Sequence, residues 1–169
     1  MYQDILILLA PSLLVFVLLI WRRARGTAPV DLARQPPPNA IVVDGSNVMH
    51  WGGDPSADVL ARVLRSIETK GHTPIVFFDA SVGYKLGDRY YNETKLESLT
   101  GIPAKHICVV DKGVVADEGI LAFASDHGLR IVTNDQFRDW RVQFPHAAKK
   151  GTLVGGQWRD GAVKWRGTL

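Results

Sequence analysis

The 169-residue chain predicts an α/β fold, a mainly parallel central sheet with helices on both faces. Three observations predict it. Strand-like and helix-like segments alternate four times between residues 40 and 140, the pattern of parallel strands joined by crossover helices. The strand-like segments are short continuous apolar runs rather than alternating ones, as in strands buried on both faces. The segments between them carry apolar residues at helical spacing or capping residues at their ends.

The four strand candidates are "AIVVD" (40–44), "TPIVFFD" (73–79), "HICVV" (106–110) and "LRIVTND" (129–135). Between the first two lies "SADVLARVLRSIETKG", with Val59, Leu60, Val63, Leu64 and Ile67 at helical spacing; Ser56 can cap its start and Gly71 its end. "DRYYNETKLESLTG" (88–101) reads as a helix closing on Gly101. "ADEGILAFASDHG" (116–128) reads as a helix with acids in its first turn, the favourable end of the helix dipole. "QFRDW" (136–140) reads as a short helical turn. In the tail, Asp160-Gly161 is a hairpin signal. That turn sets Trp158 opposite Val163, with Trp165 on the same face and Arg159, Lys164 and Arg166 on the other. The aromatic face should pack and the basic face should show. A single cysteine, Cys108, excludes an internal disulfide framework. Its apolar surroundings predict a buried, inert thiol.

Ahead of this domain, residues 5–21 run "ILILLAPSLLVFVLLIW" without a charge, and roughly 17–25 apolar residues span a bilayer as a helix. Tyr2 and Trp21 sit where interfacial aromatics belong, and Arg22, Arg23 and Arg25 follow the run. Asp4 precedes it without any Lys or Arg, unlike the positive start of a signal peptide. The expectation is one N-terminal transmembrane helix within residues 1–25, in the cell membrane, with the amino terminus outside and the rest cytoplasmic. Residues 26–39, with three consecutive prolines, read as a semi-rigid linker, and residues 40–169 as the domain.

The net charge of +3 is uneven: residues 26–140 hold 11 basic and 15 acidic residues, whereas residues 141–169 hold six basic and one acidic. A basic tail beside an acidic body can face a polyanion without the whole chain being a polycation.

In open α/β sheets, sites form beyond the carboxyl ends of the strands. Asp44 ends the first strand candidate, Asp79 the second, and Asn134 and Asp135 the fourth; Asp117 and Glu118 open a helix. Asp139 follows Asp135 by four residues, so a helical turn would put both on one side. Each has a bland reading. Asp44-Gly45 is an ordinary turn pair, Asn134 an ordinary cap, Asp117 a partner of the helix dipole, and Asp139 a partner of Arg138 or Arg141. Together, Asp44, Asp117, Asp135 and Asp139 read as one site, with Glu118 and Asp79 at its margin. Converging carboxylates repel, and a divalent cation relieves them. Oxygen donors favour Mg²⁺ or Mn²⁺ over zinc. Ser46 and Asn47 can orient the carboxylates or the metal waters, and Gly45 can leave room for a ligand.

Three stretches, "VVDGSNV", "GHTPIVFF" and "ADEGILAFASDHGLRIVTNDQFRDW", resemble the NYN branch of the PIN-like ribonucleases, and within it the Zc3h12a-like (Regnase-type) group. The resemblance covers roughly residues 40–145. It implies a PIN-like three-layer α/β/α sandwich, Mg²⁺ or Mn²⁺, and endonucleolytic RNA cleavage leaving 5′-phosphate and 3′-hydroxyl ends. It assigns metal-site and catalytic acids to Asp44, Asp117, Asp135 and Asp139, and polar positions to Asn47 and Asn134. The group commonly shows two adjacent aspartates at the helix start. Here Ala116 precedes Asp117, so Glu118 is the remaining neighbour that could supply a carboxylate. The zinc finger of animal relatives is absent from this sequence.

The substrate expected on this reading is RNA, single-stranded, met at the rim by Arg138, Arg141, Lys149 and Lys150, with Lys85, Arg89 and the basic hairpin face as further candidates. His50 and Trp51 could stack on unpaired bases. The membrane is a second partner through residues 5–21, and a homo-oligomer stays open. The alternative function is a non-catalytic PIN-like RNA-binding module. An Asp-x-Asp phosphatase is disfavoured by Ser46 in the second acidic position, and an adhesion-type Asp-x-Ser-x-Ser metal motif by Val48.

Overall fold

The computed structural model describes residues 35–169. The apolar run, its arginines and most of the linker lie outside the described residues. Among those described, no helix is long and apolar enough to cross a membrane. The last linker residues already belong to the fold, because the carbonyl of Pro38 accepts from Thr73 Oγ1 and that of Asn39 from Thr73 N.

Along the chain stand β1 (Ala40–Asp44), α1 (Gly45–Val48), α2 (Ala57–Thr69), β2 (Thr73–Phe78), α3 (Val82–Leu86), α4 (Glu93–Thr100), β3 (Ile107–Val109), α5 (Ala116–His127), β4 (Ile131–Val132), β5 (Leu153–Arg159) and β6 (Ala162–Arg166). The sheet order is β3-β2-β1-β4-β5-β6. All neighbouring pairs are parallel except the last, the antiparallel β5–β6 hairpin. The strand order therefore builds outward from β1 on one side, then restarts with β4 on the other. The carboxyl ends of β1 and β4 meet at that switch point, where α/β sheets place their ligands.

Both faces of the sheet are covered, which explains the continuous apolar runs. Ile41, Val43, Val76, Phe78 and Val132 pack beneath the stripe Val59, Leu60, Val63, Leu64 and Ile67 of α2 and beneath Leu96 of α4. Val42, Ile75, Phe77, Cys108 and Ile131 pack on Ile120, Leu121 and Ala124 of α5. Full burial of each large aliphatic side chain contributes roughly 1.5–3 kcal/mol. Ser56 caps α2 as the sequence predicts, its hydroxyl accepting from Val59 N. Cys108 is buried, and burial, with Glu93 and Asp111 nearby, pushes its thiol up to about 12.

The hairpin has the predicted register, Trp158↔Val163 and Arg159↔Ala162, around Asp160 and Gly161, both at positive φ. Trp158, Val163 and Trp165 lie against the α2-side core, and Trp165 Nε1 donates to Ser66 Oγ at 3.2 Å. Two elements differ from the sequence reading. The helix expected over 88–101 begins only at Glu93, capped by the Asn92 side chain, which accepts from Lys95 N. Residues 82–86 form the unexpected α3. The cause is tertiary. A side chain at Gly83 would collide with the backbone of Arg89, Tyr90 and Tyr91, so that extended segment lies directly on α3.

Candidate active site

Asp44 ends β1 and caps α1. Its Oδ1 accepts from Asn47 N at 3.0 Å and its Oδ2 from Thr133 Oγ1 at 2.9 Å, and the residue is only 5 % exposed. Burial pushes its pKa from 3.8 up to about 6, against those two hydrogen bonds, and the charges of Asp117 and Asp79 push the same way. Asp117, in the first turn of α5, is also raised, by burial first and then by Asp135 and Asp79, with a hydrogen bond from Trp140 opposing. Among the described residues no Lys or Arg forms an ion pair with Asp44, Asp79, Asp117 or Asp135. A residue needed only as a cap would be Ser or Asn at least as readily. A buried carboxylate among other carboxylates is costly unless something cationic joins it.

The strand ends are cross-tied. Thr133 Oγ1, besides donating to Asp44, accepts from Asp135 N at 3.0 Å. Asn47 Oδ1 accepts from Asn134 N at 3.0 Å and from Trp51 Nε1 at 2.9 Å. Asn134 in turn brackets Gly156 of β5, donating from Nδ2 to its carbonyl at 2.9 Å and accepting its N–H at 3.1 Å. Ser46 Oγ accepts from Asp79 N at 2.9 Å, fixing the end of β2 against α1. Thus Ser46, Asn47 and Asn134 position the backbone on which the acids stand. The space at Gly45 is filled by the Phe78 ring, with which any side chain there would collide; it is not room for a ligand.

The expected site residues are placed as follows. The four acids were expected to converge on one ion, but among the described residues no three His, Cys, Asp or Glu side chains stand close enough to ligate a metal together. The electrostatic group is Asp44, Asp79, Asp117 and Asp135. Asp79, left at the margin by the sequence, is inside it, and Asp139 is not among the charges acting on Asp44 or Asp117. The helical turn invoked for Asp139 is interrupted. Asp135 Oδ1 accepts from Phe137 N at 2.7 Å, and buried Phe137 takes a left-handed φ of 45°. Only Arg138–Trp140 form a 3₁₀ turn, and Asp139 is exposed on it. Glu118 is likewise exposed. Trp51 is packed rather than presented to bases: it lies edge-on to Trp165 at 5.9 Å and is tied to Asn47, while His50 beside it is exposed. Arg138, Lys149 and Lys150 are exposed, as are Lys85 and Arg89, and Arg141 Nε donates to the Gln136 carbonyl at 3.2 Å. Thr133 was missed. Its hydroxyl joins Asp44 across 89 positions of chain, and no local pattern announces such a pairing.

The donor set is oxygen only. It does not make a closed His/Cys zinc site. It fits an ion that keeps several waters and takes one or two carboxylates, as Mg²⁺ does and Mn²⁺ can.

The fold is a mainly parallel α/β sheet with carboxylates gathered at its switch point. The chain belongs to the family described as the Zc3h12a-like ribonuclease NYN domain, whose family model matches residues 38–161. Two solved structures of nuclear protein-only RNase P 2 (PRORP2) from Arabidopsis thaliana share the fold. Each gives a TM-score of 0.61 at 18 % identity, with 80 % and 79 % of this chain covered. The chain spans only 31 % and 30 % of those proteins. No curated protein matches it by sequence.

Proposed function

We propose that the chain is a metal-dependent endoribonuclease that hydrolyses phosphodiester bonds of unpaired RNA. The observation that carries this reading is Asp44, a buried carboxylate with a raised pKa beside Asp79 and Asp117 and, among the described residues, without a Lys or Arg partner, in a chain of a ribonuclease family. Asp44 and Asp117 would hold Mg²⁺ or Mn²⁺ directly and Asp135, beside Asp117, through one of its waters, with Asp139 and Glu118 on the rim. When bound, the ion lowers the pKa of its water and offsets charge on the phosphoryl oxygens. Thr133 and Asn47 hold Asp44 and the Asp135 backbone in register. Among the described residues nothing hydrogen-bonds or ion-pairs with the Asp79 carboxylate, so its oxygens are available to take the proton of the attacking water. Arg138, Arg141, Lys149 and Lys150 would contact flanking phosphates, making binding steeply salt-dependent. We further propose that residues 5–21 tether the domain to a membrane, on the strength of their uncharged apolar length.

The test is cleavage of end-labelled single-stranded RNA by the purified full chain. With Mn²⁺ or Mg²⁺ it should yield internal cuts bearing 5′-phosphates; with EDTA, or in Asp135→Asn, it should not. Full activity in EDTA would sink the metal-dependent reading. Binding without cleavage would favour an RNA-binding module, the reading supported by Ala116 at the helix start and by the lack, among the described residues, of a preformed three-carboxylate set.

A further inference from the structure

A cleft of about 550 Å³ opens beside the acids, within the roughly 300–1,000 Å³ of sites that seat small organic groups. Asp79 forms part of its wall, so it is continuous with the carboxylate group at the end of β2. Tyr84 and Tyr90 also line it, and both are large exposed side chains, at 64 % and 55 %. Val110 and Val114 add apolar surface. The tyrosines come from different segments, and their closeness is built in. Gly83 lets the 89–91 backbone lie on α3, the helix that carries Tyr84, so both tyrosines reach the same cleft.

Resting on the ribonuclease reading, we infer that this cleft is a base-stacking subsite, holding one unpaired RNA base next to the scissile phosphate. Exposed aromatic rings without a packing role are unfavourable in water, yet base–aromatic stacking suits any base. Single-stranded RNA offers such bases, whereas a duplex keeps them stacked internally. The cleft's charges fit the same occupant. Acidic Asp79 and Asp111 line it with basic Lys112, a mixed wall that suits a neutral base better than a bare phosphate. The base would enter the cleft and leave its phosphate outside, on the side of Asp44 and Asp117, where the proposed cation would offset its charge. The site thereby selects unpaired RNA without reading sequence.

The experiment uses the full chain and a short single-stranded oligoribonucleotide carrying 2-aminopurine beside the mapped cut. Binding is measured by anisotropy in EDTA, and cleavage with Mn²⁺. Stacking on Tyr84 or Tyr90 should quench 2-aminopurine. Tyr84→Ala and Tyr90→Ala should each weaken binding on the order of tenfold, raise KM more than they lower kcat, and relieve the quenching. Tyr84→Phe should keep the affinity, while Tyr84→Leu should not. Both tyrosines are exposed, so melting temperatures should match the wild type. If Ala variants with unchanged melting bind, quench and cut as the wild type does, the subsite is wrong and the ribonuclease reading stands. If the wild type neither binds nor cuts RNA, both fall together.

Discussion

Two regions of this sheet are equally dry and oppositely composed. Under α2, Leu60, Val63, Leu64 and Ile67 meet Val43, Val76 and Phe78, all fully buried and all apolar. A few residues along β1, Asp44 is 5 % exposed and faces other carboxylates. The first arrangement stabilises the fold, and the second opposes it. A chain selected only for stability would extend the apolar core to the strand end. The charge there shows where stability is given up for a site.

Removing Asp44's charge tests that contrast most strongly. If Asp44 holds the cation as proposed, Asp44→Asn should lower cleavage by on the order of 10²–10³-fold. The same change should stabilise the metal-free protein at neutral pH. Asp44's folded pKa, about 6, lies above its unfolded value of 3.8, so the folded chain binds the extra proton between them. The stability this group contributes is present below about pH 4 and is lost as pH rises through about 6, a swing of roughly 2–3 kcal/mol. In EDTA, Asp44→Asn should therefore melt several degrees above wild type at pH 7.5, and the gap should close toward pH 4. Equal melting at both pH values would mean that the carboxylate is not strained. Mn²⁺ should raise the wild-type melting temperature and leave the variant's unchanged.

A matched pair sharpens the division. Leu64→Ala deletes core contacts and should cost about 2–5 kcal/mol of stability, with kcat and KM unchanged below the lowered melting temperature. Thr133→Val removes the hydroxyl that binds both Asp44 Oδ2 and Asp135 N. It should cut activity by roughly 10–100-fold, as loss of groups supporting metal ligands does. Urea melts and steady-state rates on both variants read the pair. If Thr133→Val behaved like Leu64→Ala, the hydroxyl would be a packing group that happens to lie near the acids.

What could be read from the residues alone follows the range of the interactions. The strands and α2 were legible because burial on both faces writes continuous apolar runs, and one-sided burial writes a helical stripe. The hairpin was legible because Asp160-Gly161 alone dictates its turn and so its register. The start of α4 was misread because the contact of Gly83 with residues 89–91 is tertiary. The positions of Asp44, Asp117 and Asp135 at strand ends and a helix start could be read because those elements write local patterns. Asp79 was undervalued and Thr133 missed because their roles depend on which strand ends become neighbours. The packing of Trp51 was not legible because its partner, Trp165, lies at the far end of the chain.

Asp139 offers the smallest effect and the finest discrimination. The sequence pairs it with Asp135 through a helical turn; in the structure the left-handed Phe137 intervenes, leaving Asp139 exposed. An exposed charge is screened by water and salt. Asp139→Asn should therefore slow cleavage by only about two- to fivefold, with a loss that shrinks further as ionic strength rises. Asp79→Asn should cost on the order of 100-fold at all salt concentrations, since a proton acceptor in the transition state contributes at least that much. The two variants, assayed side by side with Mn²⁺ across a salt series, separate the acids that local spacing nominates from those that the fold assembles. A reversal of their order would mean that substrate or metal refolds residues 135–140 into the continuous turn that the spacing implies, and the Phe137 bend would then be the resting conformation of a segment that closes on the site.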